Sequence, residues 1–248
     1  MKVNKKSSDG FCSRDPKRPK QPGNYPDSPT EVVMPKKIST PLPENRPGLP
    51  FIRKRLAESG AGLTRLARDP SLALEVLRVA ACLRRALARG HKVLIFGNGG
   101  SAAQAQHLAA ELVNRFRRER KALAALALNT DSSCLTSIAN DRDFHRVFSR
   151  QLEALGRPGD VAFAISTSGK SPNILAALKT ARELQLRRVA LLGPGGGPAG
   201  KLVEEAVRVP SPSVPGIQEA HLAIAHLLAE ILENTLGERK TRVRSSRA

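Results

Sequence analysis

Lys92–Leu112 reads KVLIFGNGGSAAQAQHLAAEL. The apolar run VLIF at 93–96 predicts a short strand buried on both faces. It stops at Gly97-Asn98-Gly99-Gly100-Ser101, a turn with little side-chain bulk, and a helical pattern follows. Such a turn lets backbone N–H groups and a serine hydroxyl approach an anion closely. The helix then carries His107 and Glu111 one turn apart. An i,i+4 pair on one helix face can hold a metal or move a proton. An anion cradle followed by a reactive pair points to an enzyme acting on a phosphorylated small molecule.

The same alternation extends along the chain. VLIF is followed by expected strands at 122–129, 161–166, 188–193 and, as a weak edge, 206–210. Helical patterns lie between them at 101–118, 144–154 and 172–184, and a last helix runs from about Ile217 to Leu236. This order predicts an α/β fold: a three-layer αβα sandwich with five mostly parallel strands. Two N-terminal helices precede it. The first runs from Phe51, weakened by Gly60 and Gly62. The second runs from Pro70, with Gly90 as its stop. Ligands in such sheets sit at the C-terminal ends of the strands.

Residues 1–50 hold ten of the eighteen prolines and a charge of +5, with no helical or strand period. They read as a disordered extension. Residues 237–248 carry +4 and read as a basic tail, leaving +10 on the ordered domain at 51–236. The chain has one Tyr, seven Phe and no Trp. That leaves too few rings for a base-stacking platform and argues against nucleic acid as the partner. A basic body attracts an anionic sugar phosphate equally well. Cys12, Cys82 and Cys134 are widely spaced, as for reduced thiols. No apolar run approaches the ~18 residues of a membrane span, and the N-terminus lacks the apolar core of a secretory signal. The expected location is the cytoplasm.

A second cradle, Ser166-Thr167-Ser168-Gly169-Lys170-Ser171-Pro172, follows the third strand. Ser171 suits an N-cap and Pro172 the first helical position. Alone, the segment reads equally well as a helix cap. Beside GNGGS at a neighbouring strand end, phosphate binding is the better reading. Gly97–Ala102 also fits the loose dinucleotide pattern. Its acidic partner should follow about 20 residues on, whereas Asp131 is more than thirty away, which argues against a nicotinamide cofactor.

Gln218 and His226 lie in GIQEAHLAIAHLLAEI, a segment apolar enough to be mostly buried, where polar side chains need partners. With His107 and Glu111 they form a mixed N/O set that zinc accepts. His221, off the face of His226, reads as a core or interface histidine. The spacing raises a difficulty: eight helical residues span about 12 Å. Either Gln218 lies at or before the helix start, or Gln218 and His226 serve different copies of a site shared within an oligomer.

Taken together, GNGGSAAQAQHLAAELVNRF, IANDRDF, ISTSGKS and IQEAHLAIAH resemble the phosphoheptose isomerase branch of the sugar isomerase (SIS) family, over residues from about 52 to 236. The resemblance implies the SIS fold and the conversion of D-sedoheptulose 7-phosphate to D-glycero-D-manno-heptose 7-phosphate, feeding heptose precursors toward lipopolysaccharide or another surface glycan. It implies zinc on His107, Glu111, Gln218 and His226, with Glu111 and His226 as acid/base groups. It places substrate on Asn98, Gly99, Gly100, Ser101, Glu111, Asn140, Asp141, Ser166, Thr167, Ser168, Ser171 and Gln218. It also implies a homotetramer with sites between subunits. Two positions depart from the family pattern: Lys170 replaces the usual Asn of the serine loop, and Gly216 stands where an Arg often precedes Ile-Gln. NRF, ALNTD and IANDR also resemble a non-catalytic SIS regulator that binds the bacterial replication initiator. That branch lacks the Glu and the second His, and this chain has both.

Overall fold

The computed structural model describes residues 48–236. Two helices, α1 (Leu49–Ala67) and α2 (Pro70–Ala88), lead into β1 (Val93–Gly97), α3 (Gly100–Val113), β2 (Ala125–Ala127), α4 (Ser132–Asp141), α5 (Ser149–Leu155), β3 (Val161–Ser166), α6 (Pro172–Glu183), β4 (Arg187–Leu192), β5 (Glu205–Arg208) and α7 (Val214–Leu236). The extensions expected at 1–50 and 237–248 lie outside the described residues, except that Leu49 and Pro50 already belong to α1.

The five strands form one sheet in the order β2-β1-β3-β4-β5, and every pairing is parallel. β1 and β3 are buried along their whole length, as their unbroken apolar runs require. Their side chains alternate between two cores. Val93, Ile95, Val161, Phe163 and Ile165 pack with α2, α3 and α7. Leu94, Phe96, Ala162 and Ala164 pack with α4, α5 and α6. The chain leaves β1 toward β2 on one side and returns to β3 on the other. The gap between β1 and β3 is therefore the point where the strand order reverses, the usual ligand crevice of an open parallel sheet.

Several expected boundaries move. β2 shrinks to Ala125–Ala127, and Leu126 stays exposed at this sheet edge. The pattern at 144–154 divides into a 3₁₀ turn at Phe144–Arg146 and α5. α4 was not expected. It starts at Asp131, whose side chain accepts from the Cys134 N–H at 2.9 Å. α1 continues unbroken through Gly60 and Gly62; at about 1 kcal/mol each, two glycines do not break a helix of this length. α2 begins on an Asp69 N-cap that accepts from the Ser71 and Leu72 N–H groups, and it ends before Gly90 at φ 82. No helix among the described residues is long and apolar enough to cross a membrane.

Candidate active site

The two cradles lie side by side at the C-terminal ends of β1 and β3. Gly97 pairs with Ile165, and the Asn98 and Asn173 amides exchange two hydrogen bonds of 2.9 Å. That exchange fastens the first turn to the start of α6. The N–H groups of Gly99 and Gly100, at the start of α3, have no acceptor among the described residues. Free N–H groups at a helix start can receive an anion. Ser101 is buried, and its Cβ packs against Gly97, where a side chain would collide with it.

In the second cradle, Ser166 Oγ accepts from the Gly169 N–H (3.1 Å) and Ser168 Oγ from the Lys170 N–H (3.2 Å). Gly169, at φ 61, has no room for a Cβ, which would meet the Gly196 carbonyl oxygen. Ser171 occupies the N-cap of α6, but its side chain makes no capping bond. That hydroxyl, with Thr167 and the exposed Ser168, remains available to a ligand. Asn140 and Asp141 sit exposed at the end of α4, with Asn140 Nδ2 donating to Asp141 at 2.8 Å. Among the described residues no hydrogen bond ties them to either cradle.

α3 and α7 run side by side in the same direction. Gln104 donates to the Gln218 carbonyl (2.6 Å), and about one turn further along α3 and two turns further along α7, His107 meets His226. The two Nε2 atoms are 2.9 Å apart, and Glu111 Oε1 lies 3.3 Å from His107 Nε2. One donor atom from each of His107, Glu111 and His226 lies within 4.8 Å of the others. Burial pushes the Glu111 carboxyl above its ordinary range, and His107 and His226 pull it part of the way back. Glu111 Oε2 is buried without a partner. Two imidazoles, a carboxylate and an orphaned carboxylate oxygen fit a divalent ion such as zinc.

Gln218 does not join this cluster within one chain. The first of the two expected placements fails: α7 begins at Val214, so Gln218 lies in its second turn, about 12 Å along the helix from His226. Its side chain lies against Gly100, where a Cβ would collide with the amide. His221 is fully buried, with Nε2 donating to the Leu192 carbonyl at 3.2 Å. Burial lowers its pKa from 6.5 to about 4, so it is the neutral core histidine that its position predicts. A cavity of about 620 Å³ lies between α1, the Pro210–Gly216 segment and Glu219, and holds none of the expected site residues.

Sequence reasoning missed four contributors. Asn173 is buried beside Asn98. The Phe116 ring stacks on His226, with centroids 5.3 Å apart at 19°. Glu233 and Arg120 hold the loop that carries Phe116.

The SIS domain model matches residues 60–193. A phosphoheptose isomerase from Bradyrhizobium sp. is 50% identical over 192 residues, which is 77% of this chain and 97% of the relative. One from Desulfovibrio desulfuricans is 57% identical over 162 residues, 65% of this chain and 75% of the relative. The solved phosphoheptose isomerase of Neisseria gonorrhoeae superposes with a TM-score of 0.69 at 38% identity, covering 74% of this chain and 97% of that one. For the Francisella tularensis enzyme the TM-score is 0.71 at 34% identity, with 75% and 98% covered. Similarity of sequence and fold over 75–98% of these relatives' length, together with the His-Glu-His cluster on α3 and α7, places the chain in the phosphoheptose isomerase family of SIS-domain proteins.

Proposed function

We propose that the protein converts D-sedoheptulose 7-phosphate to D-glycero-D-manno-heptose 7-phosphate. The single observation carrying this reading is the convergence of Glu111 and His226, from different helices, beside two phosphate-type cradles at the β1/β3 crevice. Ketose–aldose isomerisation moves a proton between C1 and C2 through an enediol. One group must take the carbon-bound proton while another manages the proton on oxygen. Glu111, raised by burial and with Oε2 unpartnered, is the base; His226 is its acid partner. Thr167, Ser168 and Ser171 grip the distal phosphate, so that remote binding orients the reacting end. His107, Glu111 and His226 would hold zinc, which when bound supplies a Lewis acid for the developing oxyanion.

Three ligands from one chain leave a fourth position, and Gln218 of a second copy is its proposed source. A homo-oligomer, a tetramer with sites between subunits, is part of the same reading. It is supported by α1, which has no buried side chain and exposes Leu49, Phe51, Ile52 and Leu56. The cytoplasm and heptose supply for a surface glycan are the corresponding setting. The presence of both Glu111 and His226 in one cluster, with donor atoms within 4.8 Å of one another, speaks against the initiator-binding adaptor reading.

The test follows conversion of sedoheptulose 7-phosphate by the wild type, Glu111→Gln and His226→Ala, before and after chelation and zinc readdition. Each variant should lose about 10²–10⁴-fold in kcat, and chelated wild type should recover with zinc. Full activity in either variant overturns the mechanism.

A further inference from the structure

Glu233, two turns beyond His226 on α7, is a carboxylate with a side chain only 1% exposed. It does not pair with a neighbour on its own helix. Its Oε1 accepts from the Phe116 N–H (3.0 Å), and its Oε2 accepts from those of Arg117 (2.9 Å) and Arg118 (3.0 Å). Three consecutive backbone donors thus converge on one anion, an arrangement that fixes a loop more firmly than any single bond. Arg120, also 1% exposed, brings its Nε to 3.7 Å from the same carboxylate. Its guanidinium donates to the Glu111 carbonyl (2.6 Å) and the Leu112 carbonyl (2.8 Å), closing the C-terminal end of α3. The loop after α3 is therefore hung from α7 and laid back over it. That places the Phe116 face on the His226 ring, whose other neighbour is the His107 edge, with centroids 5.1 Å apart at 62°.

We propose that Glu233 is a positioning residue for the isomerase: by holding the 116–118 backbone it presses Phe116 onto His226 and sets the orientation of the acid/base imidazole relative to Glu111. A buried ion pair adds little net stability by itself; orienting His226 is what this one does for function. The inference rests on the isomerase reading given above, and its structural half can be read without activity.

The experiment compares Glu233→Gln and Phe116→Leu with the wild type, using kcat, KM, and the imidazole C–H resonances of His226 in histidine-labelled protein, assigned through His226→Ala. Both variants should lower kcat about 10–100-fold, the usual cost of removing an orienting partner, with KM changed less than about 3-fold. Both should also shift the His226 resonances away from their ring-stacked positions. Glu233→Gln additionally removes a charge that raises the Glu111 carboxyl. Phe116→Leu keeps that charge, so agreement between the two isolates orientation. It also keeps the test open if Glu233→Gln folds poorly. Wild-type His226 resonances with wild-type kcat in Phe116→Leu would overturn the proposal. Shifted resonances in a protein whose wild type shows no isomerase activity would instead overturn the functional reading alone.

Discussion

His221 gives this fold an acid-sensitive point that can be worked from its surroundings. The ring is fully buried; Nε2 donates to the Leu192 carbonyl, and Nδ1 has no partner. A proton added to Nδ1 would therefore be a charge in the core with nothing to receive it. Its pKa falls from 6.5 to about 4. The unfolded chain then binds a proton that the folded chain refuses between those values, so stability is full above pH 6.5 and is lost as pH falls toward 4. At about 1.4 kcal/mol per pKa unit, the whole effect is about 3 kcal/mol, of which about 2 is gone by pH 5. His221→Leu removes the titration. It leaves the Leu192 carbonyl with the Val209 N–H at 2.9 Å, so no new orphan is created. Urea unfolding at fixed protein concentration checks the difference, read by circular dichroism because the chain has no Trp. With a slope near ~2 kcal/mol per M, the wild-type midpoint should fall about 1 M more than that of the variant between pH 7 and pH 5. Acid losses from other groups cancel in the comparison. Equal midpoint shifts would refute the argument and reopen His221 as a group with a polar partner, such as a metal ligand. Isomerase activity in His221→Leu should remain.

Other perturbations separate the parts of the site. Gly169→Ala forces a side chain at φ 61 into the Gly196 carbonyl; it should cost about 1–3 kcal/mol in thermal unfolding and raise KM for the sugar phosphate. Gly100→Ala meets only the movable end of Gln218, so it should lower kcat/KM while leaving Tm nearly unchanged. Asp160, which accepts from the Lys92 N–H and side chain and from the Arg157 N–H, ties the starts of β1 and β3 together. Asp160→Asn should cost about 2–3 kcal/mol in urea. Burial raises the Asp160 carboxyl, but these bonds outweigh it and hold it below its ordinary range. Its contribution is therefore present at neutral pH and lost only as pH falls below about 4. If sites are shared, mixing inactive Gln218→Ala and His226→Ala subunits should restore part of the activity; mixtures that stay dead place both residues in one chain's site.

The parts of the fold legible in the sequence are those set by local spacing. β1 and β3 show as unbroken apolar runs because both of their faces are covered. His107 and Glu111 show as a pair because one helical turn brings them together. α4 does not show, because SSCLTSIAND offers only Cys134, Leu135 and Ile138 as an apolar edge among hydroxyls, and Ser and Thr compete for backbone bonds. The start of α7 is misjudged for a different reason. The pattern predicts this helix from about Ile217, whereas Pro215 and Gly216 occupy its first turn, where Pro costs no hydrogen bond. Moving the start back to Val214 carries Gln218 into the helix. The Glu233 loop is invisible to any periodic reading, since it joins residues more than a hundred positions apart.

The parallel run of α3 and α7 accounts for both the success and the failure of the ligand set. Along α7 the contacts recur in steps of seven to eight residues: Gln218 meets Gly100 and Gln104, His226 meets His107, and Glu233 meets the 116–118 backbone. Each step is about 11–12 Å along the helix. The pair therefore lays out three stations in a row: the Gln218 amide beside Gly100, the His107–Glu111–His226 cluster, and a carboxylate anchor for the covering loop. A spacing regular enough to bring His107 and His226 into register is, for the same reason, too long for Gln218 to reach their ion. A four-ligand site containing Gln218 and His226 therefore fits the helix better with the two drawn from different chains.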